Sequence, residues 1–437
     1  MAAAPFYFDV LRKLADCLEL RNALEDHLNA LEGLEYPTLS HEAALNGLPA
    51  LKTAIPQAFL ELSQRFLKYE ADVLYPTRLD PELLEREGII RNDFKPKAKY
   101  AQMTCRNLLK EAGQSPSTYY AILATDGDQM GKWLAGVHEN MPNMSAAMHP
   151  AVPPKFSTVH NASDWDIILN RPRPLSASLH TNLSSALSNF SLEWVRRVVE
   201  DRHLGKVVYA GGDDMLAFLP LRGVLPAASE LHALFSGAAR VGPDGVIQVR
   251  WACSTGFLEI VGNNQQKRQL MPGPNITLSS GIAIVHHLYP IDAALAAARQ
   301  AEKLAKEKYG RDALCVRVLL GSGKILEMGG HWLVDQTDVA EQVERLKGQF
   351  MAKPPQGLST SLPYHLAAEA DVLEKLPQTY FSTLKRLIKR HRAKEGPDPD
   401  ELATVLTIIG SALPGGLNEL VNWLLLARFM AQERGAE

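Results

Sequence analysis

The chain has 437 residues, 46% hydrophobic and 22% charged, ordinary values for a globular protein and more chain than one ordinary core accommodates. Forty-six Lys and Arg against 49 Asp and Glu give a formal net charge of −3, which excludes a global basic field; any nucleic-acid contact must come from a local patch or from partner subunits. No run approaches the ~18 apolar residues of a membrane helix. The opening residues lack the basic and apolar regions of a signal peptide. Cys17, Cys105, Cys253 and Cys315 form no C-x-x-C pair and no evident disulfide framework. The chain therefore reads as soluble and cytoplasmic, with no membrane partner.

Residues 1–113 read as a helical domain, because FDVLRKLADCLELRNALEDHLNALEGL and IPQAFLELSQRFLKYEADVL repeat apolar residues at three- and four-residue spacing. The pattern changes at a second domain, 114–335. Tyr119–Thr125 is an apolar, β-branched run with the character of a buried strand, and it ends in Asp126-Gly127-Asp128. A helix start at Met130 leads into 138–174, too long for a plain connection and read as an insertion or flap. A long amphipathic helix follows from Ser176. Lys206–Tyr209 and Met215–Leu219 then read as strands joined by Ala210-Gly211-Gly212-Asp213-Asp214. Beyond a helix at VLPAASELHALF and a hairpin expected within IQVRWACSTGFLEIVG come a strand at Asn275–Val285, a helix at IDAALAAARQAEKLAKEKYG and two strands around Gly321-Ser322-Gly323. This order predicts an α+β domain with helices on one face of an antiparallel sheet. Residues 336–437 return to helix.

The chemistry lies in the carboxylates. Asp126-Gly127-Asp128 closes one strand and Gly211-Gly212-Asp213-Asp214 turns between two others, so strand pairing would gather three or four acids at one edge. Uncompensated, they would raise one another's pKa values. Oxygen-preferring divalent cations, Mg²⁺ above all, resolve that conflict, and two such ions can activate a hydroxyl and stabilise a leaving oxygen. Taken singly, each motif is also ordinary turn chemistry.

The stretch YAGGDDMLAFLP, with ILATDGDQMGKWL upstream, resembles the catalytic palm of the large subunit of type III (Cmr-type) CRISPR effector complexes. RPLSASLH with FSLEWV, SSGIAIVHHLYP and AEKLAKEKYGRDALCVRV resemble further stretches of that family, over residues ~117–320 in order. The resemblance implies a ferredoxin-like palm, related to nucleotide polymerases and class III cyclases and flanked by helical domains. It implies conversion of ATP to cyclic oligoadenylate with two Mg²⁺ or Mn²⁺ ions, inside a ribonucleoprotein whose guide and target RNA are held largely by other subunits.

By the same resemblance Asp126 and Asp213 are primary metal ligands, Asp214 is a second ligand or orients the nucleophile, and the Gly127 carbonyl completes the sphere. Asp128, Gly211, Gly212, Ser279, Ser280, Lys306 and Arg311 are nucleotide-contacting candidates. Lys306 and Arg311 are separated by one residue more than in the diguanylate cyclase pattern they resemble. Lys385, Arg386, Lys389, Arg390 and Arg392 form a basic segment read either as an RNA or partner patch or as a solvated helix face over Leu384, Leu387 and Ile388. The chain contains no His-Asp dipeptide and no cysteine-rich zinc site, so the nuclease that many family members carry is not expected, as in a shortened or compact variant. Two alternatives stand beside this reading: a scaffold or RNA-binding subunit with an inactive palm, and a stand-alone class III cyclase making a cyclic dinucleotide.

Overall fold

The computed structural model describes every residue except 41–44, 157, 159–161, 263–264 and 434–437. The first Leu-rich stretch folds as helices α1 (Ala4–Lys13) and α2 (Leu18–Gly33), the second only as a short helix at Leu60–Phe66 between 3₁₀ turns, and a further helix, α3 (Lys95–Ala112), follows. Their apolar faces meet in a core that includes Val10, Leu14, Leu24, Leu28, Phe66, Leu74 and Leu108. Helix α3 stops at Gly113, whose φ of 68° is left-handed backbone that glycine adopts without penalty.

The centre is a six-stranded sheet and a smaller four-stranded one. In chain order the strands are β1 (Tyr119–Gly127), β2 (Lys206–Gly211), β3 (Asp214–Pro220), β4 (Ala239–Val241), β5 (Ile247–Val249), β6 (Phe257–Val261), β7 (Gln266–Leu270), β8 (Leu278–His286), β9 (Ala313–Leu319) and β10 (Ile325–His331). The large sheet runs β10-β9-β8-β1-β3-β2. Strands β1 and β8 are buried on both faces, which is why they read as continuous apolar runs. Among them and after them lie α4 (Met130–Ala135), α5 (Ala177–Ser188, prolonged by π-helical turns to Arg202), α6 (Val224–Ser236) and α7 (Ile291–Glu307).

Three expectations are corrected here. The sheet is mixed, because β8 and β9 pair in parallel across the α7 crossover. Helices cover both faces: α7 packs on Tyr120, Ile122 and Ala124, while Phe190, Trp194, Leu231 and Phe235 from α6 and the π-helical turns pack with Ala121, Leu123, Ala217 and Ile282. The hairpin expected within 247–262 is split: β5 turns back on β4, β7 on β6, and β4 and β6 pair in parallel between them. Trp251–Cys253 is a 3₁₀ turn instead.

Helices α8 (Val339–Met351), α9 (Leu362–Lys375), α10 (Tyr380–His391), α11 (Pro399–Ala412) and α12 (Gly416–Gln432) complete the chain. Asp338 and Asp398 cap α8 and α11 by accepting N–H groups of the first turn. Among the described residues no helix is long and apolar enough to cross a membrane.

Candidate active site

Strands β1 and β3 are antiparallel neighbours with Thr125 opposite Met215, so the end of β1 and the start of β3 fall at the same edge of the sheet. The hairpin between β2 and β3 closes there with Gly211 opposite Asp214. Gly127 and Asp213 touch: a Cβ on Gly127 would lie 2.7 Å from the Asp213 Cβ and 2.8 Å from its Oδ2. Bare backbone at 127 is what lets the carboxylate close up beside Asp126. Gly212 has φ 67°, and a Cβ at Gly211 or Gly212 would meet nothing within 4 Å, so this side of the turn is open to an approaching molecule.

Asp213 carries the electrostatic strain of the cluster. Burial raises its pKa, and the neighbouring Asp126 and Asp214 raise it further. Among the described residues no Lys, Arg or His pairs with it. Its two neighbours are paired by α7. The Lys306 ammonium donates to Asp126 and lies 3.1 Å from Glu302. Arg299 lies 3.3 Å from Asp214 and 3.1 Å from Glu302, and it donates to the Tyr209 hydroxyl, which in turn donates to Asp214 Oδ2 at 2.7 Å. Burial disfavours charge on Lys306 and Arg299, but their acidic and phenolic partners outweigh it and raise both pKa values.

Tyr209, Arg299 and Glu302 were not singled out from sequence. The signal was present in α7. Ala294, Ala297, Ala298, Ala301 and Ala305 form a buried stripe, and Arg299, Glu302 and Lys306 border it at three-, four- and seven-residue spacing. A helix laid on a sheet through alanines puts the border residues over the strand ends.

The nucleotide-contacting candidates divide. Asp128 is 3% exposed and turned inward, its carboxylate accepting from the Thr277 hydroxyl (2.7 Å), the Ser279 hydroxyl (2.8 Å) and the Asp312 amide (2.9 Å). It ties three strand ends together and, with Ser279, is engaged internally instead of facing the open turn. Ser280 is wholly buried, and its hydroxyl, like that of Thr125 opposite, has no hydrogen-bond partner among the described residues. Lys306 is in the cluster. Arg311 is exposed on the turn before β9. The basic segment is far from this edge and partly neutralised: Lys385 pairs with Asp400, Arg386 with Glu369 at 2.8 Å, and Arg392 donates to the Ala393 and Lys394 carbonyls. Lys389 and Arg390 are exposed, over buried Leu384, Leu387 and Ile388.

The donors at this edge are hard oxygens, which suits Mg²⁺ or Mn²⁺, and Asp213 is a half-buried carboxylate with no cationic partner among the described residues. Among the described residues no three His, Cys, Asp or Glu side chains already close into a ligand set, so oxygens brought by a bound phosphate would have to complete one.

A mixed sheet that gathers strand-end carboxylates beside a glycine turn, under a helix that sets Arg299 and Lys306 against them, is the frame of a polymerase- or cyclase-type palm. Residues 119–315 match the family described as Cas10/Cmr2, second palm domain, over much of the stretch where the motif resemblance placed a palm. The chain is 28% identical over 325 residues to the CRISPR system Cmr subunit Cmr2 of Pyrococcus furiosus, covering 72% of this chain and 32% of that protein. It is 33% identical over 114 residues to the CRISPR system CMR subunit Cmr2 of Saccharolobus solfataricus, covering 26% of this chain and 10% of that one. The chain thus spans about a third of the first relative's length and a tenth of the second's. Among solved structures, a chain of the type III-B Cmr-beta bound to cognate target RNA superposes with a TM-score of 0.48 at 15% identity, covering 83% of this chain and 51% of that chain.

Proposed function

We propose that this chain is the palm-bearing large subunit, or part of it, of a type III CRISPR effector complex, and that it converts ATP to cyclic oligoadenylate. The observation that carries the reading is the contact of Asp213 with Gly127 beside Asp126, a half-buried acidic pair at an open glycine turn in which Lys306 pairs only Asp126. Asp126, Asp213, Asp214 and the Gly127 carbonyl would hold two divalent ions, which supply charge neutralisation at the α-phosphate and a more acidic attacking hydroxyl. The protein's own part is positioning: the turn admits the nucleotide, Tyr209 and Arg299 fix the Asp214 carboxylate, and Lys306 offers an ammonium to phosphate. Partner subunits, guide RNA and target RNA belong to the same proposal, in keeping with what the curated relatives are named for.

The test is incubation of the chain, alone and within its target-RNA-loaded complex, with ATP and Mg²⁺, followed by mass spectrometry of the products. Oligoadenylates that vanish when Asp213→Ala and Asp214→Ala are combined, with assembly intact, support the reading. No adenylate product from a loaded, well-assembled complex favours the scaffold with an inactive palm, and a cyclic dinucleotide made by the chain alone favours the stand-alone cyclase.

A further inference from the structure

The turn between α7 and β9 is held in an uncommon shape. Gly310, Arg311 and Asp312 have φ values of 87°, 67° and 44°, three successive residues in the left-handed region, two of them bearing side chains. Such backbone costs about 1 kcal/mol or more per non-glycine residue and persists only where its surroundings fix it.

The surroundings fix Asp312 at its amide, its carbonyl and its carboxylate. The Asp312 amide donates to Asp128 at 2.9 Å, and its carbonyl accepts from the Trp332 amide at 3.2 Å. Its carboxylate lies 2.7 Å from Nε2 of His232. His232 comes from α6, on the face of the sheet opposite α7, and is 5% exposed. Its ring stacks on Trp332 at 4.7 Å with 18° between planes and leans on Trp251 at 5.1 Å. The stack fixes the plane of the ring, and within that plane Nε2 meets Asp312. Tyr309, just before the turn, is anchored by its hydroxyl to Glu419 at 2.8 Å.

What this frame presents is Arg311. Its side chain is exposed and has no partner among the described residues. Sheet register gives its location. Ser280 pairs with Leu314, which sets Asp312 level with Leu278, and Leu278 pairs with Gly127. The turn thus stands two strand spacings, roughly 10 Å, from Gly127 along the same edge. An arginine side chain and a phosphate chain together span that distance.

We infer that His232 is a positioning residue: through Asp312 it holds the Gly310–Asp312 turn so that Arg311 faces the phosphates of the nucleotide bound at Asp126 and Asp213. This rests on the nucleotide-binding reading given above. His232 touches no substrate and acts only through the turn.

The experiment measures Mg·ATP affinity of the full chain by calorimetry, and hydrogen exchange of segment 308–313, in wild type and five variants, with a sixth in reserve. Arg311→Ala should weaken binding about tenfold, the value of one lost charge-assisted phosphate contact. His232→Phe keeps a stacked ring and removes the contact to Asp312; it should weaken binding to the same degree and speed exchange in 308–313. The double variant should bind no more weakly than either single one, because both remove one interaction. His232→Gln, which returns a donor near Nε2, should restore affinity to within about threefold. If His232→Phe does not fold, Asp312→Gly removes the same contact from the exposed side and suits the left-handed backbone. Additive losses, or unchanged affinity in a folded His232→Phe or Asp312→Gly variant, overturn the inference. A folded wild-type chain that binds no Mg·ATP, or Asp213→Ala that binds as wild type, overturns the nucleotide reading itself. Both results are distinguishable from failure of the inference: in the first the Arg311 and His232 variants have no affinity to lose, and in the second the Asp213→Ala control, which neither variant touches, reports the failure by itself.

Discussion

At the scale of single residues the site depends on a missing atom. Gly127→Ala would insert a Cβ 2.7 Å from the Asp213 Cβ and 2.8 Å from the Met130 Cγ. The methionine can bend away; the aspartate, in the tight turn closed by the Gly211–Asp214 pair, has to move. Displacing a reacting group by about 1 Å costs on the order of 10²-fold in rate. We therefore expect Gly127→Ala to lower the turnover of ATP about 10²-fold, with circular dichroism unchanged, and full activity would show that Asp213 tolerates displacement. Asp126 and Asp213 were legible in sequence because each closes an apolar strand at a glycine. Asp128 was legible as a site residue and yet faces inward, since a strand-end aspartate has two directions to turn and the choice depends on Thr277 and Ser279, some 150 positions away. Arg299 and Tyr209 meet across 90 positions, which no local pattern reports.

Elements were more legible than their pairings. Periodicity reveals α2 and α7 because each buries one stripe, and it reveals β1 and β8 because both faces are apolar. It says nothing about which strand lies beside which, so the short strands β4–β7 were misjoined. In the N-terminal bundle, α2 and α3 meet around His27, a wholly buried ring whose Nε2 donates to the Val73 carbonyl at 3.1 Å and whose Nδ1 lies 3.0 Å from the Thr104 hydroxyl. Burial pushes its pKa down to about 4. The unfolded chain therefore takes up this proton first as pH falls. The ring's stabilising effect is complete above the ordinary value near 6.5 and is lost between there and about 4, to the extent of roughly 3 kcal/mol. Hydrogen exchange in 18–33 should accelerate across that window before the central sheet responds, and His27→Gln should flatten the dependence.

On the scale of the whole molecule, helical flanks around a central sheet were legible from the change in pattern near residues 117 and 335, but their unequal attachment was not. One continuous apolar core runs from β1 through α6 to Leu402, Trp423 and Met430 of the last helices. The N-terminal bundle has its own core and meets the sheet through small apolar patches at Ala2 and at Ala4, Ala50 and Leu204, and through polar contacts such as Asp9 with Arg222 and Tyr75 with the Ser117 carbonyl. Glu419 joins α12 to the palm, accepting from the Tyr309 hydroxyl and the Gly329 amide at 2.8 and 2.7 Å. Glu419→Ala leaves two buried donors unmatched and should cost about 3 kcal/mol. Calorimetry should show that loss in the transition shared by the sheet and α8–α12, with the transition of residues 1–113 unmoved.

The two attachments also differ in what they permit over longer times. A bundle that rests on a sheet through small patches can be exchanged, resized or fused to a further module while the sheet keeps its interior. A bundle that supplies half of a common interior cannot. Trimming α12 would strip one wall from the β10 side of the palm and release Tyr309, and with it the turn that carries Arg311. Lineages and engineers alike should find the front of this chain replaceable and its tail indispensable.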